Sequence, residues 1–159
     1  MKALVIYDSA FGNTAQIAHA IGSALGSQKE VTICQVGNVL PEQLTNLNLL
    51  IVGSPTQGFR PTQAITTCLK ESLASGLKGI KVAAFDTRIS TSDIKSSFLR
   101  FIVKMGGFAA KPIAKSLQQR GGELVMPPEG FIVEGKEGPL KAGELERAAD
   151  WAKQIVTTQ

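Results

Sequence analysis

Leu4-Val5-Ile6-Tyr7-Asp8-Ser9-Ala10-Phe11-Gly12-Asn13-Thr14 passes from an apolar run, through a small polar loop, into a helical pattern. Residues 2–7 carry Ala3, Leu4, Val5, Ile6 and Tyr7 in succession, apolar on both faces as a central parallel strand must be. From Thr14 the pattern becomes Ile17, Ala18, Ile21, Ala24 and Leu25, one stripe of a helix that ends near Gly26. A buried strand that ends in Ser9, Gly12, Asn13 and Thr14 just before a helix brings backbone N–H groups, hydroxyls and the positive helix end to one point. That point is an anion site, most naturally for a phosphate. Taken alone, the same residues read equally well as a turn with a helix cap.

Outward from this stretch the chain repeats the same grammar. Val31 to Val36 alternates like a more exposed strand, and Asn46 to Val52 reads as a second buried one. A loop, Gly53-Ser54-Pro55-Thr56-Gln57-Gly58-Phe59-Arg60-Pro61, follows, and Thr62 caps a helix that runs to Leu73. Lys81 to Phe85 is the next strand, opening into a third loop from Asp86 to Ser92. Residues 93–104 predict a helix on Ile94, Phe98, Leu99 and Ile102, ended by Gly106-Gly107, and residues 110–120 a further helix with Pro112 in its first turn. Gly122 to Met126 and Phe131 to Val133 read as one strand broken by Pro127-Pro128-Glu129-Gly130 or as two short edge strands. Leu140 to Val156 is a long amphipathic helix, approached through Gly135 to Pro139, in which Trp151 packs against the sheet.

Strands and helices thus alternate through five units, which predicts an α/β fold: a doubly wound five-stranded parallel sheet with helices on both faces. The loops after the first, third and fourth strands then share the carboxyl edge of the sheet, where such folds bind ligands. At 159 residues the chain reads as a single domain, 1–159. Cys34 and Cys68 form no C-x-x-C pair and have no neighbouring His, so they read as core residues in a reducing compartment, with no metal site expected. The first apolar run is too short for a signal peptide and no later run approaches a membrane span, so a cytoplasmic protein is expected.

The net charge of +4 is unevenly placed, since residues 60–120 hold eleven Lys or Arg against three Asp or Glu. Such a basic stretch could attract an acidic partner, a phosphorylated ligand or an acidic membrane surface, but a solvated helix face is the simpler account, because the positives are interleaved with apolar residues. With aromatics at 6%, nucleic acid is not an expected partner. The first loop lacks a Walker Gly-Lys-Ser/Thr and has only Gly12 of a dinucleotide fingerprint, which argues against triphosphates and resident NAD. His19 falls about 200° around the helix from Ile17 and reads as exposed and silent. Asp8 and Asp86, at strand ends, read as loop hydrogen-bond acceptors rather than acid–base catalysts.

Ser9-x-x-Gly12-Asn13-Thr14 after a first strand, Ser54-Pro55-Thr56-x-Gly58 after a third, and Thr87-Arg88 after a fourth together resemble the phosphate loop and the two isoalloxazine loops of flavodoxins. The resemblance covers essentially the whole chain, as a short-chain flavodoxin-like domain. It implies bound FMN, with Ser9, Ala10, Phe11, Gly12, Asn13 and Thr14 around the phosphate. Pro55, Thr56, Gln57, Gly58 and Phe59 would border one side of the ring, and Asp86, Thr87 and Arg88 the other. Phe59 would stack on the ring or anchor its loop in the core; Arg88 would lie near the flavin edge or at the surface. A backbone carbonyl near Gly58 could accept the proton that reduction places on flavin N5. Arg60 and Arg88 would stabilise the anionic reduced flavin, so that Glu at either position would lower the second reduction potential.

The chain departs from electron-shuttling flavodoxins in being basic and in having no Tyr or Trp in the second or third loop. The leading expectation is an FMN-binding protein that transfers electrons through its flavin to a redox partner protein. The alternatives are a flavin-dependent NAD(P)H or quinone oxidoreductase with a small-molecule substrate, and a flavin-free interaction domain on the same fold.

Overall fold

In the computed structural model, which describes residues 1–27, 30–90, 96–104 and 107–158, the strands are β1 (Lys2–Tyr7), β2 (Glu30–Gln35), β3 (Leu49–Pro55), β4 (Lys81–Ile89), β5 (Glu123–Leu124) and β6 (Glu129–Val133). The helices are α1 (Asn13–Ala24), α2 (Gln63–Glu71), α3 (Ser97–Lys104), α4 (Ala110–Gln119) and α5 (Glu144–Thr157). The order in the sheet is β2-β1-β3-β4-β5, with β6 also paired to β4, and every pairing between these strands is parallel. Parallel neighbours need crossovers that carry the chain back to the same end of the sheet; α1 supplies the one between β1 and β2, α2 the one between β3 and β4, and α3 and α4 lie between β4 and β5.

The two-residue period of each strand sorts its side chains into two cores. Leu4, Ile6, Leu50, Val52, Val82 and Ala84 join Ile65, Cys68 and Leu69 of α2 and Ile113, Ala114 and Leu117 of α4. Ala3, Val5, Leu49, Ile51, Ala83 and Phe85 join Ile17, Ala18 and Ile21 of α1 and Ala148, Trp151, Ala152 and Ile155 of α5. The doubly wound five-stranded arrangement read from the sequence is therefore present. Trp151 packs edge-on against Phe85 and Phe131, with centroids 6.4 and 6.2 Å away.

The last position of the sheet is filled twice. β5 pairs with the start of β4 (Lys81 with Glu123) and β6 with its end (Phe85 with Glu129 through Ile89 with Val133). Between them stand Pro127 and Pro128, which have no N–H to give to a ladder.

Strand ends are where the sequence reading needs correction. β3 begins at Leu49 rather than Asn46, because Asn46 takes the left-handed conformation at φ 55°. Gly53, Ser54 and Pro55 continue β3, and Asp86 to Ile89 continue β4, although both segments read as loop. They pair with each other, Ser54 with Asp86 and Pro55 with Thr87, and β6 closes the far side. Gly53 lies in register with Phe85, and a Cβ there would stand 2.0 Å from the Phe85 ring; the glycine makes space for that ring rather than a bend. α5 starts at Glu144, since Leu140 instead forms an antiparallel bridge with Val133. Thr62 caps α2 as expected, its hydroxyl accepting from the Ile65 N–H at 3.4 Å. The expected helix over 93–104 is seen from Ser97; Thr91, Ser92, Ile94 and Gly106 lie outside the described residues.

Candidate functional site

The carboxyl ends of β1, β3 and β4 meet in a cleft that the loops after them enclose. The first loop is built by its own side chains. The Ser9 hydroxyl accepts the N–H of Gly12 at 3.1 Å and of Ala15 at 3.4 Å, and the Asp8 carboxylate accepts the N–H of Ser9 at 2.9 Å. Gly12, just ahead of α1, sits at φ 90°, a conformation in which a Cβ collides with the backbone. Among the described residues the N–H groups of Ala10, Phe11, Asn13 and Thr14 donate to no protein acceptor. They cluster at the positive end of a twelve-residue helix with no acidic residue in its first turn, which is the donor set an anion needs.

Two side chains of this loop tie it to its neighbours. The buried hydroxyls of Thr14 and Thr87 lie 2.8 Å apart and share one hydrogen bond, linking the first loop to β4. The Asn13 amide donates to the Glu137 carbonyl at 3.1 Å, linking α1 to the turn after β6. Gly138 of that turn has φ 107° and lies so close that a Cβ would come within 2.6 Å of the Asn13 side chain.

At the other end of the cleft, Gln57-Gly58-Phe59-Arg60 forms a tight hairpin. Its ends exchange two hydrogen bonds, Gln57 N–H to Arg60 C=O at 2.9 Å and Arg60 N–H to Gln57 C=O at 3.1 Å. Gly58 and Phe59 both have positive φ, 54° and 65°, the pattern of a type I′ turn. Glycine takes this conformation freely; a phenylalanine there is strained. Phe59 is 42% exposed, and Phe11 50%, so Phe59 is no core anchor.

Between the two ends stands an ion pair. Arg88 donates from Nε and Nη2 to the two carboxylate oxygens of Asp86 at 2.7 and 2.6 Å, and Asp86 also accepts the N–H of Ala110 at 2.9 Å. The guanidinium lies 3.7 Å from the centre of the Phe108 ring, and a Cβ on Gly130 would overlap it. Asp86 is fully buried. Burial pushes its carboxyl up from the ordinary carboxylate range, opposed by the Arg88 and Ala110 hydrogen bonds.

Of the residues expected in the site, Ala10, Phe11, Asn13, Thr14, Pro55, Thr56, Thr87 and Arg88 line one hollow. A second hollow, lined by Thr56, Gly58, Phe59, Arg88 and Phe108, continues from it through shared walls. Ser9, Gly12 and Gln57 shape the loops without lining either hollow. Asp86 also does not line them, because it lies beneath Arg88. Arg88 is a wall of the cleft whose charge is already paired, and Arg60 is exposed at the hairpin. His19 is exposed, its ring edge-on to Tyr7.

The sequence reading missed Ile89, Val133, Lys136 and Phe108, which complete the walls. For Val133 and Lys136 a signal existed: a Gly- and Pro-rich turn after the last strand of a parallel sheet must emerge at the same edge as the other loops. Among the described residues there is no cluster of metal-ligating side chains.

A protein-family model described as Flavodoxin matches residues 5–151. A diflavin flavoprotein A 4 of Synechocystis sp. is 37% identical over 83 residues, a segment that is 49% of this chain and only 14% of that relative's length. Among solved structures, a flavodoxin from the domain Archaea superposes with a TM-score of 0.77 at 24% identity, covering 99% of this chain and 97% of the other. Oxidised Flavodoxin 1 from Bacillus cereus superposes with a TM-score of 0.78 at 19% identity, covering 99% and 98%.

Proposed function

Because the chain belongs to the flavodoxin family, whose members bind flavin and transfer electrons, we propose that residues 1–159 act as one domain that holds FMN in this cleft and passes electrons through it to a redox partner protein. The observation that carries the reading is the group of four N–H donors of Ala10, Phe11, Asn13 and Thr14 at the start of α1, in one hollow with Thr56 and Arg88. The donor chemistry fits a phosphate, and the second hollow, walled by Phe59, Ile89 and Phe108, fits a planar apolar ring.

In this reading the first loop holds the phosphate by main-chain N–H groups, and Ser9 and Gly12 keep those groups converged. Of the Thr14 and Thr87 hydroxyls, one proton is used between them, which leaves the other free to donate into the cleft. Pro55 to Phe59 would border one side of the ring and Thr87 to Ile89 the other. When bound, the flavin supplies the redox chemistry, accepting and releasing electrons singly or in pairs. The Gln57 carbonyl accepts the Arg60 N–H, so the Gly58 carbonyl at the hairpin tip would be the one available to accept a hydrogen bond from the ring. The Asp86 carboxylate holds the Arg88 guanidinium still, so the cleft wall keeps its shape while the flavin charge changes.

The partner we favour is acidic, in keeping with the basic residues of 60–120. A cytoplasmic location accords with two free buried cysteines; among the described residues no helix is long and apolar enough to cross a membrane. One observation favours a second reading, a flavin-dependent NAD(P)H or quinone oxidoreductase: Phe59 and Ile89 leave the second hollow open at an apolar, exposed mouth. Sustained NAD(P)H consumption with a quinone acceptor would select that reading.

The decisive experiment is titration of the apoprotein with FMN, followed by flavin fluorescence. Stoichiometric quenching with a yellow, gel-filtration-stable complex is expected. A colourless protein that leaves FMN fluorescence unchanged would overturn both flavin readings and favour a flavin-free interaction domain.

A further inference from the structure

We propose that Lys136 is a cationic contact for the phosphate of the flavin, a role that rests on the FMN reading and gives this site a charge its first loop lacks. The loop from Asp8 to Thr14 contains no Lys or Arg, and neutral N–H groups alone would face a phosphate monoester of charge about −1.5 to −2 at neutral pH. Lys136 comes from a distant part of the sequence to line the same hollow as Ala10, Phe11, Asn13 and Thr14. It is exposed and, among the described residues, makes no ion pair. Arg88, the other cation on these walls, is already committed to Asp86.

The placement of Lys136 is built into the fold. Its turn is closed by hydrogen bonds from Glu134 N–H to Pro139 C=O at 2.8 Å and from Gly138 N–H to Gly135 C=O at 3.1 Å. The same turn is fastened to the first turn of α1 by the Asn13 amide on the Glu137 carbonyl at 3.1 Å, and Gly138 packs against that amide. A side chain carried on a turn that is itself bonded to the phosphate loop keeps its reach to the anion without ordering a free segment on binding. Asn13 in this account is not a helix cap; its amide fixes the cation's turn over the anion's donors.

The test is flavin affinity of the apoprotein, measured for FMN and for riboflavin, which lacks the phosphate. Lys136→Ala and Lys136→Gln should raise the FMN Kd about two- to fivefold, and Lys136→Arg should stay near wild type. The riboflavin Kd should not change in any of the three, and the salt dependence of FMN binding should be shallower in the Ala and Gln variants. An unchanged FMN Kd in Lys136→Ala overturns the proposal, as does an equal loss for riboflavin, which would place Lys136 against the ring or the sugar chain. If wild-type protein bound neither flavin, the FMN reading itself would fall and this role with it; tight wild-type FMN binding with an indifferent Lys136→Ala sinks the Lys136 role alone.

Discussion

The two ends of the cleft solve the same problem with opposite parts of the chain. At the α1 end the side chains of Ser9, Asn13 and Thr14 turn inward to bond Gly12, Glu137 and Thr87, and the backbone N–H groups are left facing the cleft. At the hairpin end the backbone is spent on closing the Gln57–Arg60 turn, and the side chain of Phe59 is left outside. An anion of fixed shape is best met by main-chain dipoles, which cannot change rotamer. A flat ring is best met by an aromatic face. In the proposed FMN reading this difference accounts for a first end dense with hydrogen bonds and a second that holds strain at Phe59 φ 65°.

The strongest test of this contrast is the ion pair that stands between the ends. Arg88→Ala would leave the fully buried Asp86 with only the Ala110 N–H, and removing one partner of such a pair costs about 3–5 kcal/mol. We expect a loss near the low end of that range in urea unfolding of the apoprotein, because Arg88 keeps 22% of its side chain exposed. Arg88→Ala, Asp86→Ala together should recover part of it. A single variant as stable as wild type would mean that Arg88 is free to act on the flavin, and would favour the expectation that Glu at 88 lowers the second reduction potential. Among the described residues Arg60 makes no ion pair, which makes it the better place to seek that shift.

At the α1 end the Thr14–Thr87 hydroxyl bond is the corresponding test. Thr14→Val keeps the β-branched shape and leaves the buried Thr87 hydroxyl without its partner, which should cost about 1–2 kcal/mol. Thr14→Val, Thr87→Val together should cost less than the single change, since both groups are then apolar and matched. Additive losses in thermal unfolding would show that each hydroxyl has a separate partner and that the first loop is not clasped to β4 through this bond.

How much of this was legible in the sequence follows the same division. The sheet and its two cores were readable because period two in Leu4, Ile6, Leu50 and Val52 and period 3.6 in Ile17, Ala18 and Ile21 are local patterns with one outcome. The first loop was readable as a loop between β1 and α1 but not in its bonding: Ser9, Asn13 and Thr14 read as ligands of an anion, and in the structure their hydroxyls and amide bond Gly12, Thr87 and Glu137. The strand ends were not readable. Asp86, Thr87 and Arg88 are polar and look like a loop; they extend β4 because Asp86 and Arg88 neutralise each other and β6 arrives from more than forty residues later to pair with them. Phe108 was missed for the same reason, since its place in the cleft is set by Arg88 of β4 and not by its neighbours in the chain, whereas Lys136 was missed although the Gly- and Pro-rich turn after the last strand marked its position.

Phe59 offers the smallest effect and the finest separation of structure from function. Its φ of 65° suits glycine, and a non-glycine residue there costs roughly 1–2 kcal/mol. Phe59→Gly should therefore relieve the hairpin, leaving the apoprotein as stable as wild type or more stable by up to about 1 kcal/mol once the entropy of glycine in the unfolded chain is set against the strain. Removing the ring should at the same time weaken flavin binding by roughly 0.5–1.5 kcal/mol, equally for FMN and riboflavin because the loss is at the ring and not at the phosphate. Opposite signs in the two measurements would mean that the strain is kept for what the exposed ring contacts. A loss of stability with unchanged flavin affinity would instead make Phe59 a support for its own loop, and the contrast between a main-chain end and a side-chain end of the cleft would fail at the residue that states it most plainly.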